Sequence, residues 1–119
     1  SSGISISFKE HLKSLAKHIV DRFEITSNDL VIDIACNDGT LLSFFSDNGP
    51  KILGIDPSSV AKTAKNNGIP IINDFFNETV ARDIVSSNGK AKAITATNVF
   101  AHVNELESFM NGIKLFFSD

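Results

Sequence analysis

The sequence predicts an α/β protein: a Rossmann-like, doubly wound parallel sheet in three layers. Two observations carry this. Short apolar runs at Leu30–Ile34, Ile52–Ile55, Ile69–Ile72 and Ala91–Thr97 alternate with segments whose apolar residues recur at helical spacing. Three Asn-Gly pairs, Asn48-Gly49, Asn67-Gly68 and Asn88-Gly89, each follow a helical segment and precede a strand-like run. In that position the pair reads as a helix terminator, with glycine in the left-handed conformation, and not as a hairpin turn. Alternating strands and helices imply right-handed crossovers and a parallel sheet.

Each element has its own signature. Phe8, Leu12, Leu15, Ile19 and Phe23 form one face of an amphipathic helix placed at residues 4–24, with Lys9, Lys13, Lys17 and Asp21 off that face. Leu30–Ile34 lacks clear polar alternation, as suits a strand buried on both faces. Leu41, Leu42, Phe44 and Phe45 mark the helix after it. Val60, Ala61 and Ala64 mark the next. Val80, Ala81, Ile84 and Val85 mark a third. Leu106, Phe109, Met110, Ile113 and Phe116 mark the last, with Asn104 and Glu107 as a variant capping box at its start. The 119 residues fit one domain, with a core over 30–117. Four strands are expected in the order 3-2-1-4, with strand four an open edge. Such domains commonly have more strands, so the expectation is a truncated domain of a larger protein, able to pair as a homodimer through that edge.

Composition narrows the function classes. Hydrophobic residues make up 42% and charged residues 21%, and 14 acidic against 11 basic residues leave a net charge of -3. No Lys/Arg cluster points to nucleic acid. No apolar run approaches the ~20 residues that span a membrane, and the early charges exclude a signal-peptide pattern. The single cysteine, Cys36, cannot form an internal disulfide or an all-cysteine metal site. No metal is expected, and the setting expected is cytoplasmic.

The chemistry concentrates in "VIDIACNDGTLL", residues 31–42. In a doubly wound sheet the ligand sits at the carboxyl ends of the strands. A dinucleotide site would carry G-x-G-x-x-G in the first loop, because backbone must approach a pyrophosphate. Here Asp33-Ile34-Ala35-Cys36-Asn37-Asp38-Gly39 has one glycine and two flanking carboxylates, which repel phosphate. S-adenosylmethionine carries an ammonium and a sulfonium and no phosphate, and it fits. Asp33 faces its charged end, the backbone of Ala35 to Asn37 passes close to it, and N–H groups near Gly39 take its carboxylate. Asp56, followed by Pro57, ends the second strand 23 residues after Asp33, where a carboxylate can accept two ribose hydroxyls. An NAD-binding domain is the weaker option.

"VIDIACNDGTLLSFF" followed by "ILGIDPS" resembles the first two motifs of class I S-adenosylmethionine-dependent methyltransferases. "NDGTLLSFF", "GIDPS", "GIPIINDFF" and "TNVFAHVNELESFMNGIKLF" narrow the resemblance to the deoxysugar C-methyltransferases, over Leu30 to Phe117. The resemblance implies methylation of a nucleotide-linked keto-deoxysugar, with a zinc-binding domain before this region and a substrate domain after it. It implies a cofactor site of Asp33, Ala35, Asn37, Gly39, Asp56 and Pro57. Asp74 and Phe75 would lie at the adenine, Asn98 under the methionine part, and His102 toward the sugar. Methylation at carbon needs a base to remove a proton α to a ketone. The principal base is expected outside these residues, with His102 assisting, so the chain alone is expected to be inactive. The family usually has glycine where this chain has Ala35, a difference harmless only where the backbone angles suit alanine. The alternatives are a nitrogen or oxygen acceptor, or a non-catalytic interaction module.

Overall fold

The computed structural model describes residues 5–97, 99 and 103–117, without the side chains of 103 and 104. Its elements follow the alternation in the sequence: α1 (Ile6–Arg22), β1 (Leu30–Ile34), α2 (Thr40–Asp47), β2 (Lys51–Ile55), α3 (Ser59–Asn66), β3 (Ile71–Ile72), α4 (Glu78–Asn88), β4 (Ala93–Thr95) and α5 (Val103–Phe117). The four strands are parallel, in the order β3-β2-β1-β4. β1 is central and all five of its residues are buried, so every position, Asp33 included, is committed to the interior.

Side-chain alternation along β1 divides the core. Leu30, Ile32 and Ile34 join Leu53, Ile55, Ala81, Ile84 and Phe116, beneath α4 and α5. Val31 joins Leu12, Ala16, Val20, Ile25, Leu41 and Phe45, beneath α1 and α2. On that same face Cys36, Leu42, Ala61, Ala64 and Ile71 seat α3. The result is three layers, with α1, α2 and α3 on one side of the sheet and α4 and α5 on the other.

The Asn-Gly pairs act as terminators: Gly49, Gly68 and Gly89 all have positive φ at the ends of α2, α3 and α4. Other expectations are corrected. β3 has two residues where four were expected. Pro70 has no N–H to give, and the Ile69 N–H goes back to the Ala64 carbonyl at the end of α3 (3.2 Å). β4 is likewise trimmed to three residues, with Ala91 buried in the core ahead of the ladder. On α1 the buried stripe is Leu12, Ala16 and Val20, while Phe8 and Phe23 are about half exposed. The small Ala16 lets the helix approach α2 closely, and the large rings fall outside that contact. On α5 the inward face is Phe109, Ile113 and Phe116, with Leu106 and Met110 turned outward. Asn104 lies just inside α5, one residue past its start, and not at the cap. The caps that form are elsewhere: Ser5, Ser58 and Asn77 each accept a backbone N–H at the start of α1, α3 and α4.

Candidate cofactor site

The loop between β1 and α2 reverses the chain sharply. Ala35, Asn37 and Gly39 all have positive φ, at 59°, 56° and 80°. Such angles are routine for glycine, tolerable for asparagine and strained for alanine. The strain at Ala35 is held by a hydrogen bond: its N–H donates to the Ile55 carbonyl at 2.7 Å, which ties the loop to the end of β2. Gly39 is required by packing as well as by φ, because a Cβ there would stand 2.8 Å from Ile69 Cδ1. Its N–H donates to the Cys36 carbonyl at 3.0 Å. Asp38 turns inward on the helix start, accepting from the Thr40 N–H (3.0 Å) and hydroxyl (2.7 Å). The N–H groups of Gly39 and Thr40 are therefore engaged within the turn itself.

Asp56 is the second anchor of this rim. It is buried, and its two oxygens are shared between loops: Oδ2 accepts from the Asn37 N–H and Oδ1 from the Ser58 N–H, both at 2.8 Å. Each oxygen keeps a further lone pair for a ligand hydroxyl. Asn73, just past β3, braces the same turn by donating to the carbonyls of Asp56 (2.7 Å) and Ser58 (3.1 Å). Asn73 was visible only as part of a motif; its bracing role depends on β3 lying beside β2.

Asp33 is 1% exposed. Thr95 on β4 donates to its Oδ1 at 2.8 Å. Burial pushes its pKa up to about 6, against the lowering effect of the Thr95 hydrogen bond, and the charge of Asp56 adds to the rise. Burial likewise pushes the Cys36 thiol up to about 12, with Asp33, Asp56 and Asp38 adding to it, so the thiol is neutral and unreactive.

At the carboxyl ends of β1 and β2, on the α4/α5 side, lies a cavity of about 380 Å³. Ile34, Ala35, Ile55 and Pro57 form one wall. Phe75, Phe76, Phe109 and Val99 add apolar surface, and Asn77, Glu105 and Ser108 add polar groups. Phe76 is fixed edge-on against Phe109, with ring centroids 5.3 Å apart. Phe75 is 66% exposed, its face open to a ligand. Of the residues expected from the sequence, Ala35, Pro57 and Phe75 line this cavity. Asp33, Asn37, Gly39 and Asp56 are not among its lining residues; they lie in the strand ends and turns next to Ile34, Ala35 and Pro57. Asp74 is exposed, and its carboxylate accepts the N–H of Phe75 at 2.7 Å. Asn98 and His102 lie outside the described residues. Glu105 and Ser108 were not anticipated. Their spacing of three places them on one face of α5, but only the docking of α5 turns that face toward the cavity.

An apolar, aromatic slot beside two buried carboxylates suits a ligand with a flat ring at one end and positive charge at the other. No cluster of metal-ligating side chains occurs among the described residues. No helix among them is long and apolar enough to cross a membrane. Comparison with known proteins agrees with this chemistry. The sequence matches the family described as a methyltransferase domain over residues 8–119. It is 30% identical over 109 residues to the C-methyltransferase NovU of Streptomyces niveus, covering 91% of this chain and 26% of that protein. The fold is similar to the crystal structure of an S-adenosylmethionine-dependent methyltransferase from Anabaena variabilis, with a TM-score of 0.61 at 18% identity, over 97% of this chain and 58% of that one. The chain belongs to the methyltransferase domain family, in its class I group that uses S-adenosylmethionine.

Proposed function

We propose that the chain is the cofactor-holding part of a C-methyltransferase acting on a nucleotide-linked keto-deoxysugar. The observation that carries the acceptor atom is the match to a C-methyltransferase across nearly all of this chain. The motif combination "NDGT", "INDFF" and "NVFAHV" supports the sugar class. When bound, S-adenosylmethionine supplies an electrophilic methyl group. The chain's residues bind and orient it. Asp56 takes the ribose hydroxyls with its remaining lone pairs. Pro57 and Phe75 flank the adenine, with Asp74 at its exocyclic amine. Asp33 faces the ammonium end. Ala35, Asn37 and Gly39 shape the loop that passes beneath it, and Asn98 supports the methionine part. His102 contacts the sugar and polarises its carbonyl. The chain spans 26% of the length of its C-methyltransferase relative, so the principal base and the sugar-binding surface are assigned to other parts of the whole protein. The site is proposed to work in the cytoplasm. The outer edge of β4, without a neighbouring strand among the described residues, is the proposed seam for a second copy.

The test is calorimetric titration with S-adenosylhomocysteine, followed by competition with NAD. S-adenosylhomocysteine is expected to bind and NAD to leave it in place, because the loop after β1 offers carboxylates where a pyrophosphate needs N–H groups. Tighter binding of NAD overturns the cofactor assignment. With S-adenosylmethionine and a nucleotide-linked keto-deoxysugar, the chain by itself should give no product carrying an added methyl group. Such a product would place the acceptor site and base within these residues.

A further inference from the structure

Thr95 stands directly opposite Asp33 in the parallel ladder between β4 and β1. Laterally paired residues send their side chains to the same face of a sheet, so the two groups meet by construction. The Thr95 hydroxyl lies 2.8 Å from Asp33 Oδ1 and 3.4 Å from the Ile32 carbonyl. A hydroxyl has one proton to give, and the shorter contact takes it. The branched side chain is stiff at χ1, so the donor is fixed by the strand itself. Among the described residues, the charge that acts on Asp33 is that of another carboxylate, Asp56. A buried carboxylate facing no cation is costly. The chain nevertheless keeps one at the end of its central strand, next to Ile34 and Ala35, which line the cavity.

We propose that Thr95 is a positioning residue for the cofactor: its hydroxyl holds the Asp33 carboxylate in the orientation that receives the cofactor's ammonium group. This rests on the reading of Asp33 as the contact to that end of the ligand. A purely structural Thr95, which merely satisfies a buried oxygen, would affect stability and leave ligand affinity alone. A positioning Thr95 affects affinity and its pH dependence. The ammonium attracts the ionised carboxylate, so affinity falls as pH drops through the pKa of Asp33, about 6. Loss of the Thr95 hydrogen bond, which lowers that pKa, moves the fall to higher pH. Among the described residues, the other ionisable groups acting around the site include Asp56, Asp38 and Cys36. They are common to every variant, and the thiol, at about 12, stays neutral throughout.

The experiment is calorimetric titration of S-adenosylhomocysteine between about pH 5 and about pH 8. It uses the native chain, Thr95→Val, Thr95→Ala, Thr95→Ser and Asp33→Asn, each checked for a cooperative melt. Thr95→Val and Thr95→Ala should bind about tenfold more weakly or worse near neutral pH, the scale of a lost hydrogen bond to a charged group. In both, the pH at which affinity falls should rise. Thr95→Ser should restore affinity and profile, and Asp33→Asn should flatten the profile. If Asp33→Asn binds weakly but both Thr95 truncations keep native affinity and profile, the role of Thr95 is overturned and that of Asp33 stands. If Asp33→Asn binds like the native chain, Asp33 is not the contact and the proposal falls with it. Thr95→Ala covers the case in which Thr95→Val does not fold.

Discussion

The two faces of the sheet use similar apolar material to different ends. Under α1 and α2, Leu12, Ala16, Val20, Val31, Leu41 and Phe45 close into a dry core. Under α4 and α5, Ile84 and Phe116 close the base just as tightly, but toward the carboxyl ends the layer parts around a cavity of about 380 Å³. The difference is that Phe76 and Phe109 stand edge to face there, and Phe75 beside them is left exposed. The α4/α5 face therefore joins a closed base to an open mouth, while the α1/α2 face is closed beneath its helices and carries the Asp33–Thr95 pair at its strand ends. The costly carboxylates, Asp33 and Asp56, lie at the strand ends, Asp33 on the face of Val31 by strand alternation.

The bases of both faces should respond alike. Phe45→Ala and Phe116→Ala remove fully buried rings, and each is expected to cost about 3–5 kcal/mol in denaturant unfolding. A much smaller loss for Phe116→Ala would mean that the α4/α5 face is open to its base. The carboxylates at the strand ends give the next largest effect. The folded-state pKa of Asp33 is raised from 3.8 to about 6, so between these values the folded chain binds more protons than the unfolded one. Its contribution is therefore present at low pH and is lost as pH rises through that window, by about 3 kcal/mol in all. Comparing the pH dependence of unfolding for the native chain and Asp33→Asn isolates this contribution, and parallel curves would remove it.

At the mouth, Phe75→Ala should leave stability unchanged, because the ring is 66% exposed. S-adenosylhomocysteine binding should weaken by about 1–3 kcal/mol, the scale of an aromatic ring stacked on a base. Unchanged affinity would take Phe75 out of the adenine site. The smallest effect belongs to the loop. Ala35→Gly relieves a left-handed alanine worth about 1–2 kcal/mol and adds chain entropy to the unfolded state worth about 0.4–1 kcal/mol. The expected result is a gain of roughly 0.5 kcal/mol in thermal unfolding. Loss of stability would show that the methyl group packs favourably enough to outweigh its backbone angle.

Much of this architecture could be read from local pattern. The strand-helix alternation, the Asn-Gly terminators and the central place of Leu30–Ile34 each depend on residues close in sequence. So do the two acids, because Asp33 is the last residue but one of β1 and Asp56 directly follows β2, wherever those strands lie. Reading failed where hydrogen-bond competition or packing decides. β3 is short because Ile69 N–H is claimed by the end of α3. The inward face of α1 was set by the close approach of Ala16, which a count of large apolar residues undervalues. Gly54 reads as an ordinary strand residue, yet a Cβ there would lie 2.6 Å from Cys36 Sγ and 2.7 Å from Leu42 Cδ1.

What the sequence determined by itself was the order of elements, the parallel sheet and the acid-flanked loop with its single glycine. Hydrophobic period, turn chemistry and charge are properties of neighbouring residues and survive without a fold. Only the tertiary structure decided that Thr95 meets Asp33, 62 residues away in sequence, and that Asn73 braces Asp56. It alone turned Glu105, Ser108 and Phe109 of α5 toward Ala35 and Pro57. Those pairings follow from strand register and from which face of a helix docks, and both are settled by packing the whole core at once.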